Sequence, residues 1–152
     1  MSDTNNRAVD DRKTTLQRAA QAMGVVFLLV GILGFIPGIT SNYDTLQFAG
    51  HESEALLLGI FQVSVLHNIV HLLFGVAGLA MAKTVSGAYT YLLGGGIIYA
   101  VLFIYGLVIG HESAANFVPL NGADNVLHVL LAVVMIGLAL ALKKKARSAT
   151  HV

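Results

Sequence analysis

An uncharged run from Ala55 to Ala82 carries His67, Asn68 and His71 near its middle. A bilayer core is crossed by about 20 apolar residues at about 1.5 Å of rise each, so this run is long enough to span a membrane as a helix. Imidazole and amide groups at that depth are costly unless they face protein, water, a metal or a cofactor. Because the two histidines are four residues apart, they would share one helix face. The pattern predicts a helix that turns this polar face toward other helices and its leucines toward lipid.

The composition agrees with a membrane protein and narrows the chemistry. Hydrophobic residues make up 56% of the 152 residues and charged residues only 11%, which is too apolar for an ordinary soluble domain, and the length suggests a single domain. Cysteine is absent, which excludes disulfides, thiolate metal sites and cysteine nucleophiles. No nucleotide-binding, nucleic-acid-binding or Ser-His-Asp pattern is visible. The sequence therefore favours a protein that is not an enzyme and has no nucleic-acid partner.

Four uncharged runs predict an all-α fold, an integral membrane four-helix bundle in contact with the lipid bilayer. The predicted helices lie at about 19–36, 55–82, 88–109 and 125–142. Together they form a predicted four-span membrane domain over residues 19–142, between a polar tail over residues 1–18 and a basic tail over residues 143–152. The connection at 83–87 is short, so the second and third helices are predicted to be antiparallel neighbours.

The distribution of charge predicts the orientation of the chain. All nine Lys and Arg residues lie in the N-terminal tail, in the 83–87 connection or in the C-terminal tail. The loops at 38–54 and 110–124 carry five of the eight acidic residues and no Lys or Arg. Because the cytoplasmic segments of membrane proteins are enriched in Lys and Arg, both termini are predicted to be cytoplasmic.

Three short patterns occur twice along the chain, in the same order. G-x-x-x-G occurs at 34–38 and 106–110, Gly-His-Glu-Ser at 50–53 and 110–113, and N-x-x-H-x-L at 68–73 and 125–130. We interpret this order as an internal duplication, so that the chain consists of two tandem related helical hairpins. Both copies would begin on the cytoplasmic side, which places His71 and His128 at similar depths in the outer half of the bilayer, where they could face one another.

Several segments of the chain resemble one protein family. They are Gly31–Thr40, Leu58–Ser64, Leu66–Gly75, Asn116–Asn121 and Asp124–His128. On these residues the chain resembles, over about 17–142, the domain-of-unknown-function-4383 family of small bacterial membrane proteins, common in actinobacteria. The resemblance implies four membrane helices and a location in the bacterial cytoplasmic (inner) membrane. It implies no reaction, because the family has no assigned biochemistry.

The polar residues of the second and fourth helices form the predicted functional site, a polar seam that consists of Ser64, His67, Asn68, His71, Asn125 and His128. Three interpretations of this seam stay open. The first is a structural or partner-binding module, whose polar side chains join helices or support a homo-oligomer or a membrane complex. The second is a haem or divalent-metal site, with His71 and His128 as ligands and His67 as an alternative ligand. The third is a small proton or ion channel or transporter.

The repeated His-Glu-Ser motif gives an alternative metal site outside the membrane. The proposed symmetry would bring together four side chains whose imidazole and carboxylate groups suit zinc or copper. They are His51, Glu52, His111 and Glu112. The competing interpretation, which we favour, is that Ser53 and Ser113 cap helical turns and that the motif is otherwise solvated.

Three successive glycines at 94–96 leave one part of the third helix without side chains. No phosphate-loop pattern surrounds them, so close packing against the first helix, at Gly24 and Gly31, is the predicted reason for them. The tyrosines of the same helix, Tyr99 among them, are predicted to be packed rings or interface anchors.

Overall fold

The computed structural model describes residues 13–148, with side chains described as far as Lys143, and forms a bundle of four helices. The helices are α1 (Thr15–Leu33), α2 (Val65–Met81), α3 (Val85–Val108) and α4 (Gly122–Ser148). α1 packs mainly on α2, and α3 packs mainly on α4; we call these pairs the first and the second hairpin. The all-α bundle predicted from the uncharged runs is confirmed. Residues 1–12 and 149–152 of the predicted tails lie outside the described residues.

The helices have the length and surface of membrane helices. By length and composition, α1, α3 and the part of α4 from Gly122 to Lys143 could each cross a membrane, whereas α2 is apolar but has only 17 residues. Large apolar side chains cover the outside of the bundle, and more than half of the surface of each of the following is exposed: Leu29, Leu73, Leu107 and Val133. A water-soluble monomer rarely exposes an apolar surface of this extent, so the helices indicate a membrane protein.

The segment that connects α1 to α2 contains a small antiparallel sheet that was not predicted from the sequence. Its two-residue strands are β1 (Thr40–Ser41), β2 (Leu56–Leu57) and β3 (Phe61–Gln62), in the order β1-β2-β3, and a 3-10 turn covers Tyr43–Thr45. This segment, residues 34–64, lies at the same end of the bundle as the α3–α4 connection, residues 109–121. We call the two segments together the loop cap.

The loop cap ties the first hairpin to the start of the second. The side-chain amide of Asn121 donates to the carbonyl oxygen of Ile60 over 2.8 Å, and the backbone N–H of Gln62 donates to the Asp124 carboxylate over 3.1 Å. Asn121 and Asp124 also accept hydrogen bonds from each other's backbone N–H groups, which caps the first turn of α4. The same residues therefore start α4 and hold it against β3.

α2 differs most from its predicted bounds, because it begins at Val65 rather than near residue 55. The Ser64 side chain accepts the backbone N–H of His67 and so caps the helix there. The residues before it turn back on themselves, with Leu58 and Gly59 at positive φ angles of 53° and 70°. Because a continuous apolar run does not distinguish a strand from a helix, the sequence pattern extended α2 too far.

The other helix bounds shift by smaller amounts. α1 begins at Thr15, inside the predicted polar tail, because Thr14 and Gln17 form a reciprocal capping box. α4 continues through the predicted basic tail as far as Ser148. Cations are favourable near the C-terminus of a helix, so the basic sequence of this segment is compatible with a helix end.

Glycines bring the helices of each hairpin into backbone contact. A Cβ atom added to Gly24 would lie 3.0 Å from the carbonyl oxygen of Gly75, and one added to Gly96 would lie 3.2 Å from that of Ala132. The prediction that the glycines at 94–96 pack against the first helix is therefore wrong. The closest partners of Gly95 and Gly96 are on α4, and a Cβ atom on Gly94 would meet nothing within 4 Å among the described residues. The small residues of α1 are already packed against those of α2.

Aromatic rings form the centre of the bundle. The Phe27 and Tyr99 rings are stacked, with centroids 5.4 Å apart and planes at 5°. Phe74 meets both rings edge-on, with centroid distances of 5.4 and 5.8 Å. Aromatic pairs of this kind each contribute about 0.5–1.5 kcal/mol beyond the burial of their surface. The cluster fixes the rotation of α1, α2 and α3 about their axes, and with it the directions of the neighbouring histidines.

Candidate functional site

A cavity of about 350 Å³ lies between α2, α3 and α4, next to the loop cap. Three histidines from both hairpins contribute to its wall: His67, His71 and His128. The other lining residues are Leu66, Val70, Phe74, Ile98, Tyr99, Leu102, Phe117 and Val118. The surface of the wall is almost entirely apolar, so the rings present mainly carbon to the cavity. We call this space the three-histidine cavity.

The first two histidines are positioned by the start of α2. They lie one turn apart, with ring centroids 4.2 Å from each other. His71 Nδ1 is 3.0 Å from the carbonyl oxygen of His67. Because a carbonyl oxygen only accepts hydrogen bonds, Nδ1 must be the protonated nitrogen that donates. In the neutral imidazole of His71 this leaves Nε2 as a free acceptor.

The third histidine is linked to the others through the aromatic centre. The His71 ring meets Phe27 edge-on at 5.7 Å, Phe27 stacks on Tyr99, and the Tyr99 ring lies 5.2 Å from that of His128. His71 and His128 are 5% and 3% exposed, so both rings are held by packing rather than by solvent. The aromatic core therefore contacts both imidazoles and fixes their directions.

Several polar atoms of the seam are buried without a hydrogen-bond partner within the described part of the chain. They are Nδ1 of His67, Nδ1 of His128, both amide atoms of Asn68 and Oδ1 of Asn125. An unpartnered buried polar group costs about 1–3 kcal/mol, and such groups are rare in native structures. A half-turn of either imidazole about its Cβ–Cγ bond would exchange Nδ1 with a ring carbon. Two of these unpartnered atoms belong to rings of the cavity wall, His67 and His128, and a half-turn would be needed to aim them at the cavity; Asn68 and Asn125 do not line it.

The two asparagines of the seam face glycines of the neighbouring helix. Asn125 Nδ2 donates to the carbonyl oxygen of Gly106 over 3.1 Å. A Cβ atom added to Gly106 would collide with the Asn125 amide, and one added to Gly34 would collide with the Asn68 amide. Each side chain therefore occupies space that exists only because the facing residue has no side chain.

Corresponding contacts occur in the two hairpins. The pairs are Gly34–Asn68 with Gly106–Asn125, Phe27–His71 with Tyr99–His128, and Gly24–Gly75 with Gly96–Ala132. In each case the residues of α1 and α3 differ by 72 positions (106 − 34), and those of α2 and α4 by 57 (125 − 68). The packing of the second hairpin thus matches that of the first, residue by residue, at three levels of the bundle.

All six residues of the predicted polar seam are buried, but they have different roles. The structure brings only the three histidines to one cavity. Ser64 caps α2, and the two asparagines join helices. Across the described residues, no three His, Cys, Asp or Glu side chains form a group that could hold a metal ion. His67, His71 and His128 therefore do not form a three-ligand metal site, and ligation by two histidines stays a prediction.

The alternative metal site in the loops is not formed by the described residues either. Glu52, His111 and Glu112 are exposed, and His51 is partly exposed. The serines of the motif do not cap helices. Ser53 donates to the carbonyl oxygen of Val63 over 2.6 Å, and Ser113 accepts the backbone N–H of Ala115 within a turn. The repeated motif therefore shapes the two loops of the cap.

The sequence interpretation missed some residues that build the site. Phe117 and Val118 of the loop cap line the cavity, and no periodicity in that loop indicates it. Tyr99 is a packed ring, as predicted, but its position in the cavity wall was not foreseen. Asp124 had a visible signal, because an asparagine three residues before an acidic residue at the start of an apolar run is typical of a helix N-terminus.

The apolar helices and the buried polar site between them define a helical membrane protein of the four-helix-bundle type. The model of the family described as Domain of unknown function (DUF4383) matches residues 17–141, which is most of the chain. The chain therefore belongs to this family. Comparisons with the curated proteins and with the solved structures found no match.

Proposed function

We propose that this protein is a non-enzymatic membrane module that binds a small, lipid-soluble molecule in the three-histidine cavity. The observation that carries the proposal is the convergence of His67, His71 and His128 on one cavity of about 350 Å³. Sites for small molecules have volumes of about 300–1,000 Å³ and are mostly apolar, with a few polar groups that orient the ligand. The cavity agrees with this description in its volume, its wall and its few polar groups.

The polar groups of the wall favour a ligand with a hydrogen-bonding oxygen. A neutral imidazole offers one donor and one acceptor, and His71 keeps Nε2 free as an acceptor. The partnerless Nδ1 atoms of His67 and His128 would gain partners from a hydroxyl or carbonyl group after a ring half-turn. Such a contact would remove a burial cost of about 1–3 kcal/mol per group, which supports binding of an oxygen-bearing molecule.

The proposal includes a membrane topology. We expect four spans in a bacterial cytoplasmic membrane, with both termini in the cytoplasm and the loop cap outside, since the Lys and Arg residues flank the opposite ends of the helices. The corresponding Gly–Asn, ring–His and Gly–backbone contacts support an internal duplication as the origin of the two hairpins. In this arrangement the cavity lies in the outer half of the bilayer, where a lipid-soluble molecule can reach it.

Binding of a lipid-soluble ring compound to the purified protein would test the function directly. The probe is tetramethylbenzoquinone, added to the full chain in detergent and counted as bound molecules per chain by native mass spectrometry. We expect one molecule per chain, and weaker binding in His67→Leu and His128→Leu, whose rings can donate to its carbonyl oxygens, by about two- to tenfold, the value of one hydrogen bond. Leu130→Ala, at a lipid-facing position on α4, is the matched control and should bind like the wild type.

Three results would contradict the proposal. One is absence of binding to the wild type. Another is equal binding by the wild type and both histidine variants. The third is a visible haem spectrum, or metal in a fixed ratio to the purified chain, that disappears in His71→Ala or His128→Ala; this would establish the haem or metal interpretation instead.

A further inference from the structure

A second space lies next to the three-histidine cavity. A groove of about 210 Å³ lies between α2 and α3, and its lining includes Ala77, Met81, Gly94 and Gly95. It shares Phe74 and Ile98 with the cavity, so the two spaces adjoin along the same pair of helices. The surface of the groove is almost entirely apolar. We call it the α2/α3 groove.

From this adjacency we infer that the ligand is a ring-bearing lipid with a single apolar chain, whose ring occupies the three-histidine cavity and whose chain lies in the α2/α3 groove. The inference rests on the proposed function and adds the chemical class of the ligand. The chemistry is that of a lipid quinone or an alkylated phenol: a flat ring, an oxygen that can hydrogen-bond, and one long hydrocarbon substituent.

The wall of the cavity favours a flat ring. Six of its side chains are themselves rings: His67, His71, Phe74, Tyr99, Phe117 and His128. Planar groups pack on aromatic side chains in offset-stacked or edge-on arrangements, and each such pair contributes about 0.5–1.5 kcal/mol. A saturated chain gains no such term, so a plain acyl chain of the surrounding bilayer would match the groove but not the cavity.

The groove favours one chain that runs away from the loop cap. It follows α2 from Phe74 to Met81, seven residues and hence about 10 Å of helix. A ring in the cavity and a chain along this path would give the ligand the orientation that bilayer lipids have in the outer leaflet. Val70 and Ile98, on the rim of the cavity, are 43% and 47% exposed, so the ligand can enter sideways from lipid between α2 and α3.

Gly94 lines the groove, and close packing within the described part of the chain does not require a glycine at this position. A Cβ atom added to Gly94 would have no heavy atom within 4 Å there, whereas one on Gly95 would lie 2.6 Å from Met135. Glycine inside a helix costs about 1 kcal/mol relative to alanine. A larger side chain at position 94 would therefore fill the groove while leaving the contacts between the helices intact.

Two probes and one variant test the inference. The probes are tetramethylbenzoquinone and the same ring with a decyl chain in place of one methyl group, compared by native mass spectrometry on the full chain in one detergent. In the wild type we expect the decyl compound to bind about tenfold more tightly or better, since its chain packs against both helices. Gly94→Leu should abolish this difference and leave binding of the tailless ring unchanged.

Gly137→Leu is the matched control. Gly137 also has open space at its Cβ position among the described residues, but it is exposed on α4 and lines neither the cavity nor the groove. This variant adds the same apolar side chain to the protein and should keep the tenfold preference. Thermal unfolding of both variants checks that each is at least as stable as the wild type, as expected for a better helix former in open space.

The outcomes separate the inference from the proposed function. If the tailless ring binds and the decyl compound binds no better, the inference is overturned while the proposed function stands. The inference is also overturned if Gly94→Leu keeps the preference, or if Gly137→Leu loses it equally. If neither compound binds the wild type, both the proposed function and the inference are overturned.

Discussion

At the scale of single residues, each hairpin is joined by an asparagine that faces a glycine. The Asn68 amide lies against Gly34, and the Asn125 amide lies against Gly106, to which it donates a hydrogen bond. In a membrane, packing and polar contacts stabilise helix pairs without a hydrophobic driving force. The missing Cβ atoms are therefore as important to the joint as the amides themselves.

Gly34→Ala and Gly106→Ala should each destabilise the fold. Both backbones accept alanine, since neither residue has a positive φ angle, so the expected loss of about 1–3 kcal/mol comes from the collision with the asparagine amide. The measurement is unfolding of the detergent-solubilised protein by titration with a denaturing detergent. Gly137→Ala is the control, expected to be neutral or stabilising by up to about 1 kcal/mol. Equal stability of all three variants would contradict the claim that the glycine–asparagine contacts stabilise the two hairpins.

The residues of the site were only partly predictable, for a physical reason. His67 and His71 share a face because of their spacing, and polar residues in an apolar helix turn toward protein, so their burial follows from the sequence. α3 is apolar on almost every side, and its pattern gives no preferred rotation about the helix axis. The direction of Tyr99 therefore depends on its stack with Phe27, which is a tertiary contact.

At the scale of elements, α2 is held at both ends by side chains. Ser64 caps its start, and Gln17 of α1 donates through Nε2 to the carbonyl oxygens of Ala82 and Lys83 just past its end, over 3.1 and 3.0 Å. Ala82 is the residue that caps the C-terminus of α2, so these two hydrogen bonds anchor the point where the chain leaves the helix. The position of α2, and with it two of the three cavity histidines, is thus fixed by polar contacts outside its own apolar run.

Gln17→Leu should loosen the end of α2. It removes both hydrogen bonds to the carbonyl groups and the half of the capping box that the Gln17 side chain supplies, and we expect a loss of stability of about 1–3 kcal/mol. Hydrogen exchange of the last turn of α2 should become faster than in the wild type. Gln21→Leu, one turn further along α1, is the matched control and should leave this exchange unchanged. Equal exchange in the two variants would contradict the role of Gln17.

The number of the helices was predictable because it depends on long uncharged runs and on where charge interrupts them. The small sheet was not predictable, because residues 55–64 are as apolar as the helix that follows. The one local signal for the true start of α2 was Ser64, a residue type favoured at helix N-termini. The predicted helix was longer and included Ser64 in its polar face, so Ser64 was not identified as the residue that caps the helix.

At the scale of the whole molecule, two similar hairpins are joined by hydrogen bonds at the loop cap and by aromatic packing at the centre. The three-histidine cavity lies where the two hairpins meet, and neither hairpin alone provides all three imidazoles. A site formed between two units depends on their mutual placement. We therefore expect changes in the loop cap to alter the site, through the hydrogen bonds that join the hairpins and through Phe117 and Val118 in the cavity wall.

The proposed topology can be tested by labelling single cysteines, since the natural chain has none. Glu52, Lys83 and Glu112 are all exposed, so cysteines at these positions should be similarly reactive once reagent reaches them. In intact cells an impermeant maleimide should label Glu52→Cys and Glu112→Cys, and should label Lys83→Cys only after permeabilisation. The opposite pattern, or labelling of all three in intact cells, would rule out the proposed orientation.

The shortness of α2 has a consequence for the surrounding bilayer. Its 17 residues cover only about 26 Å, less than the ~30 Å hydrocarbon core that the longer helices can cross. Lipids next to a short helix adapt by local thinning, at a cost of a fraction of a kcal/mol per Å. We expect this thinning beside the opening between α2 and α3, where less ordered acyl chains would lower the barrier to sideways exchange of the proposed ligand. The dwell time of a guest molecule should accordingly shorten as the host bilayer becomes thicker.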